Sequence, residues 1–185
     1  MSNPKSWHKF VLAVESGKLS GNSGLSRFAA RYKVASSLKA IEFDKLNVKT
    51  AEAYFLAFKL SLAYSSLESL ENCEILNTKH IRVENSEIAS ELRKKENIHL
   101  LNFLLSETTS KKLRMRLSEF SSGECNDLRI IAESIRHLTF HGILTANGSG
   151  IAKSARLQKL LAKLTDEVFI QINLEFSNWL EDSLT

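Results

Sequence analysis

Five residues near position 140 have a composition typical of a functional site, with a guanidinium, two imidazoles, a carboxylate and a phenyl ring: Glu133, Arg136, His137, Phe140 and His141. An imidazole titrates near neutral pH and can take up or release a proton. A guanidinium can bind a phosphate through paired hydrogen bonds and stabilise charge that develops on it. Together these groups suffice, in principle, for metal-free cleavage of RNA, in which a deprotonated 2′-hydroxyl attacks the neighbouring phosphorus.

A helix must carry these residues, because residues 126–142 have the periodicity of an amphipathic helix. The apolar residues recur at intervals of three and four and define one stripe: Leu128, Ile131, Ala132, Ile135 and Leu138. At roughly 100° per residue, Arg136 and His141 lie about 100–120° away from that stripe. Glu133, His137 and Phe140 share this outward arc. The pattern predicts a buried core on one side and an accessible cluster on the other, where an exposed Phe indicates a partner.

The segment from Arg136 to His141, RHLTFH, resembles the Arg-polar-x-x-x-His signature of the HEPN superfamily. The resemblance implies a helical bundle that often dimerises with the motifs juxtaposed across the interface. It also implies a metal-independent endoribonuclease, of a toxin–antitoxin, phage-defence or RNA-processing type, that leaves a 2′,3′-cyclic phosphate. Arg136 and His141 would be the catalytic pair, with His137 as the assisting polar residue. An antitoxin would be a possible protein partner, beside RNA and a second copy of the chain.

Three other interpretations of the motif stay open. Arg93 and His99 have a similar spacing, but they flank a charged turn without helical periodicity. Arg136 could pair with Glu133 or another carboxylate, while the helix dipole favours a His such as His141 at a helix end. The protein would then be a non-catalytic helical module that binds RNA or protein as a dimer.

The remaining pattern predicts an all-α fold, a single HEPN-like bundle over residues 1–185 with four or five main helices and several short ones. We expect a second helix over residues 25–44 and a last helix over residues 152–181. The third, over residues 51–70 with Thr50 as its cap, is apolar around most of its girth. Such a helix belongs in the middle of a bundle or in a subunit interface.

A basic stripe on the last predicted helix is a second candidate for contact with RNA. It consists of Arg156, Lys159 and Lys163, which could guide phosphates or form an ordinary solvated face. The net charge of +4 and the pI of about 9.1 permit an anionic partner without requiring one.

Composition narrows the class of protein further. The chain has 185 residues, of which 43% are hydrophobic and 25% charged, a profile typical of globular proteins. One proline and seven glycines provide few signals for strands and hairpins. Cys73 and Cys125 lack metal-ligand spacing and are expected to be reduced thiols. We expect no metal, no cofactor and no membrane span, and a cytoplasmic location.

Overall fold

Eight α-helices make up most of residues 3–21, 23–73 and 80–185, which the computed structural model describes. They are α1 (Trp7–Glu15), α2 (Ser23–Ser37), α3 (Val48–Glu71), α4 (Ser86–Arg93), α5 (Ile98–Glu107), α6 (Lys111–Ser122), α7 (Arg129–Phe140) and α8 (Ala155–Leu184). A short 3₁₀ helix, Ile151–Lys153, precedes α8, and these residues include no β-strand. The predicted all-α helical bundle is confirmed.

Helix α3 lies at the centre of the bundle and packs against α2, α7 and α8. Its buried positions surround the helix axis, as the apolar sequence of this segment predicts. Two buried serines tolerate this environment because their hydroxyls bond to backbone carbonyls one turn earlier. Ser61 Oγ donates to Ala57 O at 2.7 Å, and Ser66 Oγ donates to Leu62 O at 2.9 Å. The hydroxyls of both serines are therefore satisfied where α3 packs against its three neighbouring helices.

The start of α3 corrects the predicted cap. Thr50 is not the N-cap; Asn47 is, and its side-chain oxygen accepts a hydrogen bond from the Thr50 N–H at 3.0 Å. The helix thus begins three residues before the predicted position, because Asn is as strong an N-cap as Ser or Thr.

Helix α2 ends at Ser37, seven residues before the predicted end. The Ser37 hydroxyl donates to the backbone carbonyl of Lys33 at 2.6 Å and so satisfies a carbonyl of the last turn. The chain beyond it remains half-buried at Phe43, whose ring centroid lies 6.0 Å from that of Tyr54. Apolar residues that pack as an irregular segment therefore produced the apparent helical periodicity.

Helix α8 begins at Ala155 and ends at Leu184, each three residues later than predicted. Ser154 is its N-cap and accepts a hydrogen bond from the Leu157 N–H at 3.1 Å. Near its other end, an aromatic cluster joins α8 to α1. The ring centroids of Trp7 and Phe176 are 5.7 Å apart, and those of Phe10 and Trp179 are 6.1 Å apart.

The core is one cluster of buried side chains to which all eight helices contribute. The predicted stripe of α7 is confirmed, since every member is fully buried: Leu128, Ile131, Ala132, Ile135 and Leu138. The outward arc of α7 is consequently held at a fixed rotation about the helix axis. Within the described residues, none of the helices is both long and hydrophobic enough to traverse a lipid bilayer.

Candidate active site

The N-terminal end of α7 is fixed by the buried carboxylate of Asp127. One of its oxygens, Oδ1, accepts hydrogen bonds from the N–H groups of Arg129 at 3.0 Å and Val83 at 3.1 Å. Val83 O accepts in turn from the Leu128 N–H at 2.8 Å. The N–H groups of Leu128 and Arg129 at the start of α7 are thereby satisfied, and the helix is joined by hydrogen bonds to the segment before α4. This anchor holds the start of α7.

The C-terminal end of α7 is fixed by Gly142, which adopts a left-handed conformation with φ of 68°. The Gly142 N–H bonds to Thr139 O at 3.1 Å, and the Ile143 N–H bonds to Leu138 O at 2.9 Å. These two bonds define a Schellman motif, which satisfies the last carbonyls of the helix. His141 is the C-cap residue of this motif, so its backbone is ordered although its side chain is exposed.

Arg136 projects from α7 toward α3, where it forms an ion pair with Glu68. The Nη2–Oε2 distance is 3.3 Å, and the two side chains are 36% and 33% exposed. The guanidinium carbon also lies 5.9 Å from the centroid of the Phe140 ring, which is within the range of a cation–π contact. Phe140 is 54% exposed, as predicted. Arg136 thus has a carboxylate partner, but Glu68 and not Glu133.

His137 and His141 lie side by side on the last turn of α7. Their ring centroids are 4.5 Å apart, with the ring planes tilted by 59°. Burial lowers the pKa of His137 from its ordinary value of 6.5, and the nearby charges of His141 and Arg136 lower it further, against an opposing contribution from Glu133. His137 is therefore mainly neutral at pH 7 and has a ring nitrogen available to accept a proton.

Glu133, the fifth residue of the outward arc, has a structural partner of its own. Its Oε2 accepts a hydrogen bond from Arg116 Nη1 at 2.7 Å, and both side chains are mostly buried. Arg116 therefore points toward α7 and not into solvent. The pair joins α6 to α7 and leaves Arg136, His137, Phe140 and His141 as the accessible group.

A groove of about 550 Å³ lies beside this group, between α2, α3 and α7. Helix α7 contributes Arg136 and Phe140 to its wall, and α3 contributes Glu68. The α2 wall includes Arg31, beside the small and apolar side chains of Ala30 and Val34. The two imidazoles do not line the groove. Arg136 therefore lies between the groove and the histidine pair.

The basic stripe of α8 is not part of this group. Arg156 forms an ion pair with Glu91 of α4, and Lys163 Nζ lies 3.7 Å from Glu87 Oε1 of the same helix. Only Lys159 among the three is exposed without an ion-pair partner in the described ranges. By contrast, Arg136 contacts Glu68 on α3 and Phe140 on α7, so no residue of the stripe pairs with the same groups. Carboxylates from α4 therefore offset much of the charge that the stripe would offer to phosphates.

The other candidates have mainly structural surroundings. Arg93 Nε donates to Phe120 O and its Nη2 donates to Cys125 O, both at 2.6 Å, so this guanidinium is committed to backbone carbonyls and does not pair with His99. Cys73 and Cys125 form no disulfide. No group of three or more His, Cys, Asp or Glu side chains in residues 3–21, 23–73 and 80–185 is placed to hold a metal ion.

A buried ion pair near the start of α7 was missed by the sequence analysis. Arg129 Nη2 donates to Glu71 Oε2 at 2.7 Å, its Nη1 donates to Ile81 O at 3.1 Å, and its guanidinium carbon lies 5.7 Å from the Tyr64 ring centroid. Burial raises the pKa of Tyr64 to about 12, so its hydroxyl stays neutral. The sequence signal was an Arg beside the apolar stripe, and its role here is structural.

Comparison of this chain with protein-family models, with curated proteins and with solved structures gave no match. The function of the arrangement on α7 therefore rests on its own chemistry.

Proposed function

We propose that this protein is a metal-independent endoribonuclease whose reacting groups are Arg136, His137 and His141. The observation that supports this most directly is the pair of imidazoles 4.5 Å apart on an open helix end, with a guanidinium one position before the pair. General acid–base catalysis needs one group that accepts a proton and one that donates a proton. Two adjacent imidazoles can supply both, and the guanidinium can neutralise the phosphate between them.

The proposed reaction transfers one proton at each side of the phosphorus. His137, which is neutral at pH 7 because its pKa is lowered, accepts the proton of the 2′-hydroxyl. The 2′-oxygen then bonds to phosphorus, the bond from phosphorus to the 5′-oxygen breaks, and His141 in its protonated form donates a proton to that oxygen. Arg136 binds a non-bridging oxygen and stabilises its developing charge. The products are a 2′,3′-cyclic phosphate and a 5′-hydroxyl.

A second copy of the chain belongs to the proposal. Phe140 is 54% exposed at the end of α7, which favours contact with another protein surface. A symmetric dimer that pairs the two Phe140 rings would bring two α7 ends together and supply four imidazoles. Light scattering of the purified protein measures whether the dimer exists.

One observation favours a non-catalytic function. Arg136 already pairs with Glu68, and Val34, Leu62 and Phe140 make the groove largely apolar. A helical module that binds protein through this groove would need no catalysis by the histidines. This alternative predicts that RNA stays intact and that the His137 and His141 variants bind their partner normally.

The deciding experiment incubates the purified protein with single-stranded RNA in EDTA and identifies the product ends. We expect cyclic phosphate ends, and a loss of about 10²–10⁴-fold in rate for His137→Ala and for His141→Ala. His99→Ala is the matched control, because it removes an exposed imidazole with the alternative Arg–His spacing. Intact RNA at high protein concentration, or full cleavage by the His137→Ala/His141→Ala double variant, would overturn the proposal.

A further inference from the structure

We infer that Arg27, Arg31 and Arg136 form a track that binds successive phosphates of a single-stranded RNA. The inference rests on the proposed function, because it assigns the path of the RNA that leads to the histidines. Three observations support this track of three arginines. Two cavities adjoin at Arg31, Arg27 and Arg31 have no ion-pair partner among the described residues, and these two residues lie one turn apart on α2.

The two cavities adjoin at one side chain. Arg31 lines the groove of about 550 Å³ together with Arg136. It also lines a second cavity of about 230 Å³, together with Arg27, Ser69 and Asn72. The two spaces therefore share Arg31 in their walls, and an RNA that occupied both would pass Arg27, Arg31 and Arg136.

Two arginines of α2, Arg27 and Arg31, differ from the other seven in their surroundings. The chain has nine arginines, and seven of them bind a carboxylate or backbone carbonyls: Arg82, Arg93, Arg114, Arg116, Arg129, Arg136 and Arg156. Arg27 and Arg31 are exposed, and within the described residues neither makes a hydrogen bond or an ion pair. An exposed guanidinium without a counter-ion that lines a cavity is suited to an anionic ligand.

The spacing of the two residues suits a polymer of phosphates better than a single anion. Residues four apart lie on one face of a helix, with Cβ atoms about 5–6 Å apart, so Arg27 and Arg31 present two forks in a row along α2. Ser69 and Asn72 line the same cavity as the two arginines. Arg binds phosphate through a planar pair of donors and stacks on bases as well.

The groove between Arg31 and Arg136 suits a base. Its walls include the apolar side chains of Val34 and Leu62. A base can pack against such walls without sequence-specific contacts. Among the described residues that line this groove, Glu68 alone carries a carboxylate, and a phosphate at Arg136 must displace it from its ion pair.

The test measures binding separately from cleavage. The probe is a single-stranded RNA with 2′-O-methyl groups throughout, which lacks the 2′-hydroxyl and cannot be cleaved. Its affinity is measured between 50 and 300 mM salt for the wild type and for Arg27→Gln/Arg31→Gln. We expect Kd at low salt to rise about tenfold. The slope of log K against log salt should fall by about 1.4, since each single-strand phosphate contact contributes about 0.7.

A matched double variant controls for the change in net charge. Lys33→Gln/Lys39→Gln also removes two exposed positive charges on or next to α2, but neither lysine lines a cavity described above. We expect its Kd to change less than twofold. Equal effects of the two double variants would overturn the track, and so would a wild type that does not bind the probe.

Binding and cleavage can fail independently. Specific loss of binding in Arg27→Gln/Arg31→Gln, with no cleavage of unmodified RNA by the wild type, supports the track and overturns the proposed ribonuclease. Cleavage of unmodified RNA, with unchanged probe binding in the same variant, overturns the track and leaves the ribonuclease standing.

Discussion

Replacing Glu68 by Gln should strengthen RNA binding at Arg136. The carboxylate of Glu68 lies 3.3 Å from Arg136 Nη2 and occupies the guanidinium that the phosphate needs. Gln retains the size and hydrogen-bonding capacity of Glu but removes the charge. The variant therefore tests competition between an internal carboxylate and the substrate, and it predicts a gain of function that misfolding could not imitate.

The size of the gain follows from the geometry of the pair. Two unit charges 3.3 Å apart attract by about 5 kcal/mol at an effective dielectric constant of about 20 and by about 1.3 kcal/mol in bulk water. Because each side chain is about a third exposed, solvent screening and side-chain entropy leave a net value of about 1 kcal/mol or less. We therefore expect KM to fall by up to about fivefold and kcat to change little.

The assay compares steady-state cleavage by the wild type, Glu68→Gln and Glu52→Gln. Glu52 is an exposed residue of α3, about 24 Å from Glu68 along the helix axis, and its substitution changes net charge equally. The unfolding midpoint of Glu68→Gln should stay within about 2–4 °C of the wild type. A rise in KM or a fall in kcat would show that Glu68 holds Arg136 in place and does not compete. Equal gains in both variants would show an effect of net charge alone.

Two further predictions concern His137 and Arg129. Burial and the charges of His141 and Arg136 lower the pKa of His137, so the acid limb of the pH profile of kcat/KM should lie below pH 6.5. Arg136→Gln removes one of these charges and should raise the His137 pKa in an NMR titration. An unchanged or lower His137 pKa in this variant would contradict the electrostatic explanation. Arg129→Met leaves the Glu71 carboxylate buried without its cation and should reduce the free energy of unfolding in urea by about 3–5 kcal/mol. Most of that stability should be regained in Arg129→Met/Glu71→Gln, because the Gln amide oxygen can still accept a hydrogen bond from the Ile81 N–H. A loss under about 1 kcal/mol in Arg129→Met alone would contradict the structural role of the pair.

The part of the fold that could be predicted is the part that depends on local periodicity. The stripe of α7 has clear intervals of three and four residues, and its burial matches the prediction at every position. The central position of α3 could be predicted in the same way, because apolar residues occur on most sides of this helix. Where a segment is apolar but irregular, as around Phe43, periodicity alone extended α2 beyond its end at Ser37, because the bonds of the terminal serine are not visible in a hydrophobic pattern.

The candidate site could be predicted only as far as one helix carries it. The adjacency of His137 and His141 follows from a spacing of four residues, which α7 converts into neighbouring rings. The pairing of Arg136 with Glu68 depends on how α7 lies against α3, and residues so distant in sequence give no local signal. The same holds for the cavity shared by Arg31 and Arg136, although the four-residue spacing of Arg27 and Arg31 could have been noticed.

The central position of α3 also has a consequence for how a ligand would be admitted. Amide hydrogen exchange is slowest in core elements, which open only when the whole protein unfolds. The groove rests on such an element, since α3 packs against α2, α7 and α8 at once. Its base is thus preformed before any encounter. Only the side chains of the groove and the peripheral helix α2 need to adjust when a ligand binds. Ligand binding should therefore not be limited by a slow rearrangement of the backbone.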